Sequence, residues 1–305
     1  MWGGLGHDSK CKAIINPDGT VAIEIGSQDL GVGTRTVIGQ VAAETFGLPS
    51  TAVKVNLGSN AYPTSGASGG STTIGGVSAS TRKATVNALN KLFEAVAPGL
   101  GTTADNLEAV DRRIQVKGNS AKSLTWQAAC QKLGVNKIEE MGENIGRNAP
   151  REGLISQGAA GVQIADVSVD IETGLVKLNK LVAVQDCGMI VNPKLAESQI
   201  YGACIMSTCA ALVEERVMDQ QIGKTLNADM EFYKLAGISD IGEIIVHLDI
   251  RPEMDKRGII GLGEPPAIGG IASIANAVAN AIGVRVPMVP LTPNRVLEAL
   301  ARRNA

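Results

Sequence analysis

The chain has 305 residues, of which 44% are hydrophobic and 19% charged, and its formal net charge is -2. A chain of this size and composition can bury a large core, as one big domain or as two lobes. Lysine and arginine form no block, and aromatic residues make up only 3% of the sequence. The sequence therefore lacks the charge and stacking surface that nucleic acids require, and it excludes them as partners.

Compartment and redox state are predicted from three further features. No run of about eighteen apolar residues is present, and residues 1–10 lack the basic and apolar regions of a signal peptide. These two features predict a cytoplasmic protein with no membrane contact. The five cysteines are scattered and form no CxxC pair, which predicts buried thiols rather than disulfides, a zinc site or an iron–sulfur site.

The first half of the chain alternates between strand and helix signals. Residues 10–16 and 21–26 alternate around the turn sequence Asn-Pro-Asp-Gly, which predicts a β-hairpin. Helical spacing then predicts a helix from about Thr34 that stops at Gly47. The next predicted elements are a strand over residues 53–57, a helix over 77–96, a strand over 112–117 and a helix over 123–133 with Ser123 as its N-cap.

The second half repeats this order of elements. Residues 134–158 are poorly patterned, so we predict a boundary there between a first lobe, residues 1–150, and a second lobe, residues 151–305. The recurring order predicts an α+β fold of two similar lobes of mixed sheet with packed helices. Its elements are a hairpin over 162–171 and 175–184, a helix over 193–215, a strand over 244–250, a helix over 267–282 and a short helix with Thr292 as N-cap and Pro293 at its first position.

Two glycine-rich loops precede predicted helices. Residues 65–73 read Ser-Gly-Ala-Ser-Gly-Gly-Ser-Thr-Thr, and residues 28–34 read Gln-Asp-Leu-Gly-Val-Gly-Thr. Bare N–H groups and hydroxyls at a helix start predict a site for an anion, such as a phosphate or an oxygen-rich metal centre. The loop at residues 65–73, the second glycine-rich loop in chain order, lacks the lysine of a Walker loop, and the loop at residues 28–34, the first, lacks the third glycine of a dinucleotide loop. Tight turns without a ligand explain each loop equally well when it is considered alone.

A glutamate at residues 261–266, Gly-Leu-Gly-Glu-Pro-Pro, is preceded by two glycines and followed by two prolines. We expect Pro265 to exclude Glu264 from the α region and Pro266 to start the following helix, which fixes the carboxylate at a rigid corner. The helix dipole favours the ionised carboxylate while burial opposes it, and this balance makes a glutamate a usable base. A carboxylate that only stabilises the first turn of the helix is the competing interpretation.

Taken in order, these segments resemble the second half of the molybdopterin-binding region of the molybdenum hydroxylases, the xanthine dehydrogenase and aldehyde oxidase family. The resemblance covers nearly the whole chain. Besides the loops and the Glu264 corner, it includes Asp-Cys-Gly at 186–188, Asn-Pro at 192–193, Gln-Ile-Tyr-Gly at 199–202, Glu-Glu at 214–215, Tyr-Lys at 233–234, Asn-Ala at 276–277 and Gly-Val at 283–284.

The resemblance implies a molybdenum–molybdopterin cofactor, with a cytosine dinucleotide as one form that stays open. It implies the oxidative hydroxylation of an aldehyde or N-heteroaromatic carbon with water as the oxygen source and Glu264 as the general base. The metal is expected to be held by pterin sulfurs rather than by protein ligands, with the N–H of Gly70 nearby. The other implied cofactor-binding residues are Gly31, Val32, Gly33, Gly69, Ser71, Thr72, Thr73 and Gln199.

Two departures from the family pattern affect these expectations. Val32 stands where the family has a glutamine, so one cofactor contact is weaker or altered. The family's first half is absent from the sequence, which implies a partner chain that completes the molybdopterin site, with iron–sulfur and FAD groups on further subunits. Substrate, electron acceptor and subunit number stay open.

Two other functions stay open. The chain could serve as a non-catalytic scaffold or as a cofactor-storage subunit, for which Glu264 would not be needed. A carboxylate-based hydrolase would need a second acid or a nucleophile, and the two histidines, His7 and His247, lie outside any motif. We predict a structural role for His247 in a strand and a solvated side chain for His7.

Overall fold

The fold consists of eleven strands and seven helices within residues 2–3, 6–146 and 158–303, which are the residues that the computed structural model describes. The strands are β1 (Trp2–Gly3), β2 (Asp8–Ile15), β3 (Val21–Ile25), β4 (Val53–Leu57), β5 (Leu107–Val110), β6 (Arg113–Val116), β7 (Asn119–Thr125), β8 (Ile138–Ile145), β9 (Gly158–Val169), β10 (Val176–Asp186) and β11 (Glu243–Leu248). The helices are α1 (Thr34–Phe46), α2 (Thr73–Leu100), α3 (Trp126–Gln131), α4 (Pro193–Leu212), α5 (Pro252–Asp255), α6 (Pro265–Ile282) and α7 (Pro293–Arg303).

Two mixed four-stranded sheets share one arrangement. In the first, the hairpin β2–β3 is antiparallel, α1 leads to β4 parallel to β3, and β8 pairs antiparallel with β2. In the second, the hairpin β9–β10 is antiparallel, α4 leads to β11 parallel to β10, and β1 pairs antiparallel with β9. The prediction of two similar lobes of mixed sheet with packed helices is therefore confirmed.

Each large sheet carries its own hydrophobic core. In the first lobe, the inward side chains of β2 and β3 pack against α1 and α2, and Phe46 and Leu92 are fully buried there. The small antiparallel sheet β5–β6–β7 and helix α3 extend this core through Trp126, whose ring lies 5.5 Å from that of Phe46 between centroids. In the second lobe, β10 packs against α4, α6 and α7, with Leu181 and Ile274 fully buried. The two lobes are thus separate packing units.

The ends of the long helices matter for the site. Helix α2 begins at Thr73, earlier than predicted, so the second glycine-rich loop leads directly into its first turn. Helix α6 begins at Pro265, immediately after Glu264. The second glycine-rich loop and Glu264 therefore each lie at the N-terminus of a long helix.

Three local predictions are wrong. Ser123 is not a helix N-cap, because it lies in β7, where its hydroxyl accepts from Arg113 at 2.8 Å; Thr125 caps α3 instead. The unpatterned region contains β8, which pairs along the whole of β2. His7 is buried, not solvated, and its Nε2 lies 3.0 Å from the Ser65 hydroxyl.

The predicted boundary between residues 150 and 151 lies outside the described residues. All five cysteines are buried free thiols. None of the helices in the described parts of the chain is both long and apolar enough to span a bilayer.

Candidate functional site

A cavity of about 310 Å³ lies between the two lobes, and we call it the interlobe cavity. The first lobe contributes the glycine-rich loops and the starts of α1 and α2, and the second contributes the end of β10, the start of α4 and the segment before α6. The residues around it are Leu30, Val32, Thr34, Val37, Ser68, Gly69, Gly70, Ser71, Thr73, Ile74, Cys187, Met189, Ile190, Val191, Asn192, Leu195, Ala196, Gln199, Ile259, Ile260, Gly261, Leu262, Gly263 and Glu264. Four segments that are far apart in sequence thus meet at one site.

Most of the residues predicted for the site line this cavity: Val32, Gly69, Gly70, Ser71, Thr73, Gln199 and Glu264. Gly31, Gly33 and Thr72 lie beside it without lining it. A Cβ atom on Gly33 would lie 2.5 Å from Leu195 Cδ1, so a glycine is needed for the first loop to approach α4. The Thr72 hydroxyl donates to the carbonyl of Gly69 at 3.1 Å and closes the second loop.

The first glycine-rich loop is held by a carboxylate of the chain itself. Asp29 accepts the N–H groups of Gly31 at 3.0 Å, Gly33 at 3.3 Å and Arg35 at 3.0 Å. Burial alone would raise the pKa of Asp29, but these donors, together with the N–H of Thr34, outweigh it and lower the pKa from its ordinary 3.8. The N–H groups of Gly31 and Gly33 are therefore not free for an anion, contrary to expectation, because Asp29 already accepts them.

Replacing Asp29 with alanine is expected to lower the free energy of unfolding by about 1 kcal/mol at neutral pH, because the start of α1 loses its acceptor. Since the folded-state pKa is depressed, this contribution is present above the ordinary pKa and is lost as the pH falls through the folded value. Urea unfolding of both proteins from about pH 6 to pH 3 measures it. A difference that stays constant down to the acid end would contradict the role of the Asp29 carboxylate.

The second glycine-rich loop, in contrast, leaves its donors open. The loop is anchored at Ser68, whose N–H donates to Gln28 Oε1 at 3.0 Å and whose hydroxyl donates to the Gln28 carbonyl at 3.1 Å. Within residues 6–146 and 158–303, the N–H groups of Gly69, Gly70 and Ser71 meet no protein acceptor, and the N-terminus of α2 has no side-chain cap. Open N–H groups at the start of a long helix form an anion-binding site.

Glu264 is fixed by Ser71 across the interlobe cavity. The N–H of Glu264 donates to Ser71 Oγ at 2.6 Å, and this hydroxyl lies 3.4 Å from Glu264 Oε2. The backbone of Glu264 is in the α region, with φ -84° and ψ -35°, so the expectation that Pro265 excludes this conformation is wrong. The restriction before proline is a bias, and here the carbonyl of Glu264 accepts the N–H of Ala267 at 2.9 Å in the first turn of α6.

The side chain of Glu264 is exposed, so the burial expected from the sequence at this corner is not found in this chain. The carboxylate lies at the edge of the cavity beside Ser71. Its backbone is nevertheless closely held, because Gly261 and Gly263 pack directly on Ser71. A Cβ atom on Gly261 would lie 1.3 Å from the Ser71 carbonyl oxygen, and one on Gly263 would lie 3.0 Å from Ser71 Oγ. At Gly261 only a glycine allows this contact.

Sequence reasoning missed several cavity residues. Asn192 caps α4 by accepting the Leu195 N–H at 3.0 Å, and it donates to Gln40 Oε1 of the first lobe, also at 3.0 Å. Burial raises the pKa of the Cys187 thiol to about 11, so the thiol stays protonated. The Thr34 hydroxyl is buried without a hydrogen-bond partner in the described chain. The Asp-Cys-Gly and Asn-Pro sequences of the resemblance were the signal for two of these positions.

Other groups do not extend the site. Neither histidine lines the interlobe cavity, so neither supplies Glu264 with a catalytic partner for hydrolysis there. In the ranges that the structure describes, no group of three His, Cys, Asp or Glu side chains could hold a metal ion. The polar groups of the cavity are thus the second glycine-rich loop, Thr34, Asn192, Gln199 and the Glu264 carboxylate.

Comparison with known proteins identifies relatives of the whole chain. A family model described as the molybdopterin cofactor-binding domain matches residues 2–242. The molybdenum-binding subunit of an aldehyde oxidoreductase from Escherichia coli O157:H7 is 33% identical over 298 residues, which cover 96% of this chain and 38% of the relative. A xanthine dehydrogenase molybdenum-binding subunit from the same strain is 29% identical over 292 residues, covering 94% of this chain and 38% of the relative.

Among solved structures, quinoline 2-oxidoreductase from Pseudomonas putida 86 superposes with a TM-score of 0.86 at 22% sequence identity. The match covers 97% of this chain and 38% of that chain, and at this identity it shows a shared fold. The chain therefore spans less than half the length of the relatives it matches.

Proposed function

Since the chain belongs to the molybdopterin cofactor-binding domain family, we propose that its interlobe cavity binds a molybdenum–molybdopterin cofactor in a multi-subunit molybdenum hydroxylase. The convergence of the second glycine-rich loop, the start of α4 and the Glu264 corner around one cavity carries this proposal. The relatives are named as molybdenum-binding subunits, which supports a role as one part of a larger enzyme.

The donors of the second glycine-rich loop fit an oxygen-rich, negatively charged part of the cofactor. The N–H groups of Gly69, Gly70 and Ser71 and the uncapped start of α2 favour a negatively charged group. No atom lies within 4 Å of where a Cβ atom of Gly70 would stand, so the loop leaves room beside its backbone. Gln199 and Thr73 add side-chain hydrogen-bonding groups to the same cavity. Val32 offers only an apolar contact, as the sequence predicts.

When bound, the cofactor supplies the two-electron chemistry for hydroxylation of an aldehyde or N-heteroaromatic carbon with water as the oxygen source. In this proposal Glu264 takes the proton from the attacking oxygen. The Ser71 hydroxyl beside Oε2 and the Ser71 bond to the Glu264 N–H hold the carboxylate at the cavity edge. Exposure of Glu264 leaves this group accessible to substrate.

Partner chains are part of the proposal. One partner completes the molybdopterin site, and others carry iron–sulfur and FAD groups that pass electrons onward. The names of the relatives support partner subunits, because both curated proteins above are called molybdenum-binding subunits. Large apolar side chains of the second lobe are exposed and suited to such an interface, among them Met206, Phe232 and Leu235.

The proposal is tested by metal and pterin analysis of the chain purified alone and with its co-purifying subunits. We expect nearly one molybdenum and one pterin per chain in the complex, and acid release of the nucleotide then identifies whether a cytosine dinucleotide is present. Valine at Gly70, where φ is +59° and the space is open, is expected to reduce cofactor content about tenfold or more.

Gly118 provides the matched control for this substitution. It has a similar backbone, with φ +71°, and equally open surroundings, but it does not line the interlobe cavity. Gly118→Val should therefore retain the cofactor. Absence of molybdenum and pterin from the native complex, or full retention in Gly70→Val, would refute the proposed site. Full retention by the lone chain would instead refute the need for a completing partner.

A further inference from the structure

We infer that Asp186 and Arg257 form a positioning pair that fixes the segment leading to Glu264 against the end of β10. Asp186 is the last residue of β10, and Arg257 lies between α5 and the Glu264 corner. Neither residue lines the interlobe cavity. The pair therefore acts through the segment it holds, and its effect on turnover rests on the proposed function.

The pair is largely buried, and Arg257 Nε has no hydrogen-bond partner in the described chain. The Arg257 side chain is 14% exposed and that of Asp186 is 11% exposed. Arg257 Nη1 donates to Asp186 Oδ2, and Nη2 donates to the carbonyl of Gly158 on β9. The other carboxylate oxygen, Oδ1, accepts the N–H of Gly188 at 2.9 Å. One guanidinium thus joins the Glu264 segment to two strands of the second sheet.

Backbone hydrogen bonds continue the contact between the two segments towards the Glu264 corner. The N–H of Met189 donates to the carbonyl of Gly258 at 2.9 Å, and the N–H of Ile260 donates to the carbonyl of Cys187 at 3.1 Å. These two bonds form a short antiparallel bridge centred on Gly188. A Cβ atom on Gly188 would lie 2.1 Å from the Gly258 oxygen, so the two segments are in close contact.

The far end of the corner is held independently. The Gln163 side chain on β9 donates to the carbonyl of Pro266 at the start of α6. Glu264 therefore lies between two fixed points, the bridge at residues 258–260 and the first turn of α6. Loss of the first fixed point frees the segment that packs on Ser71, and with it the carboxylate.

Burial distinguishes this pair from the other arginine of the same region. Arg251 is 62% exposed and pairs with Asp249 at 2.7 Å on the surface. A buried pair contributes little net stability compared with an uncharged replacement, but removing one partner leaves an unpaired charge in the interior. A purely structural pair should therefore be replaceable by two neutral side chains without loss, whereas a positioning pair should not.

The test compares Arg257→Gln, the double variant Asp186→Asn with Arg257→Gln, and the surface control Arg251→Gln. Hydrogen exchange of the purified chain is followed by mass spectrometry, and kcat, KM and molybdenum content are measured in the cofactor-loaded complex. We expect the double variant to regain most of the Tm lost in Arg257→Gln. Its kcat should remain about a hundredfold low, because a small misplacement of a catalytic group has an effect of that size.

Amides of residues 258–264 should exchange faster in both Arg257 variants, while the first lobe and the Arg251→Gln control keep native rates. The inference is overturned if the double variant recovers kcat together with Tm, or if these amides keep their native protection. If the double variant does not fold, Arg257→Lys replaces it, because lysine keeps the charge but cannot reach Asp186 and Gly158 together.

The exchange measurement needs no cofactor and separates this inference from the proposed function. If residues 258–264 exchange faster in the Arg257 variants but the native complex contains no molybdenum, the positioning role of the pair is supported and the proposed function is refuted. Unchanged exchange and unchanged kcat in a complex that contains molybdenum and is active would refute the positioning pair and leave the proposed function intact.

Discussion

Glutamine in place of Glu264 is expected to lower kcat of the cofactor-loaded complex by about 10²- to 10⁴-fold, the range for loss of a general base. Glutamine has nearly the shape of glutamate and keeps the backbone N–H that donates to Ser71, but it cannot accept a proton. Molybdenum and pterin contents should be unchanged. Steady-state kinetics with an aldehyde and with an N-heteroaromatic substrate, together with metal analysis, measure both parts of the expectation.

The matched control is Glu253→Gln, which removes another exposed carboxylate of the same region, one that pairs with Arg251 at 3.2 Å. Its kcat should equal that of the native complex. If Glu264→Gln also keeps native kcat, Glu264 is not the proton acceptor, and a scaffold or storage subunit becomes the better interpretation. If Glu264→Gln loses its molybdenum, the carboxylate contributes to binding rather than only to proton transfer.

Alanine in place of Gly261 is expected to destabilise the protein by about 1–3 kcal/mol and to reduce cofactor content. The added methyl group would stand 1.3 Å from the Ser71 carbonyl oxygen, so the second glycine-rich loop must move away from the Glu264 corner. That movement breaks the Ser71 contact with the Glu264 N–H and displaces the donors proposed for the cofactor. Urea unfolding and molybdenum analysis measure the two effects.

Gly99→Ala serves as the control for this substitution, because Gly99 lies in α2 with no atom within 4 Å of its Cβ position. Alanine is favoured over glycine inside a helix, so this variant should be as stable as the native chain or more stable. Native stability and full cofactor content in Gly261→Ala would show that the second glycine-rich loop and the Glu264 corner do not depend on each other.

The fold was predictable wherever a local signal agreed with the tertiary structure. Both hairpins were found, because the turn residues specify them: in the first, Asp18 accepts the N–H of Thr20 at 2.9 Å and Gly19 takes φ +88°. Strand β8 was missed because its inward positions after Ile138 are not apolar. Gly142 sits there so that β8 can press against α2, where a Cβ atom would lie 2.2 Å from the Ser80 carbonyl oxygen.

The site was predictable as a set of segments but not as an arrangement. The resemblance indicated Glu264 and the second glycine-rich loop, and both line the interlobe cavity. Sequence spacing could not show that Asp29 uses the donors of the first loop, since this depends on how the loop turns back. Arg257 was missed for a similar reason, because its partner Asp186 is distant in sequence and no motif links the two.

The interlobe cavity has walls from both lobes, and the Asn192–Gln40 bond and the Ser71–Glu264 contact cross between them. A molecule that fills the cavity touches both lobes, so its binding free energy adds to the interactions that hold the two lobes together. A bound molecule therefore links the two lobes. The tighter it binds, the more strongly the unfolding of one lobe is coupled to the unfolding of the other.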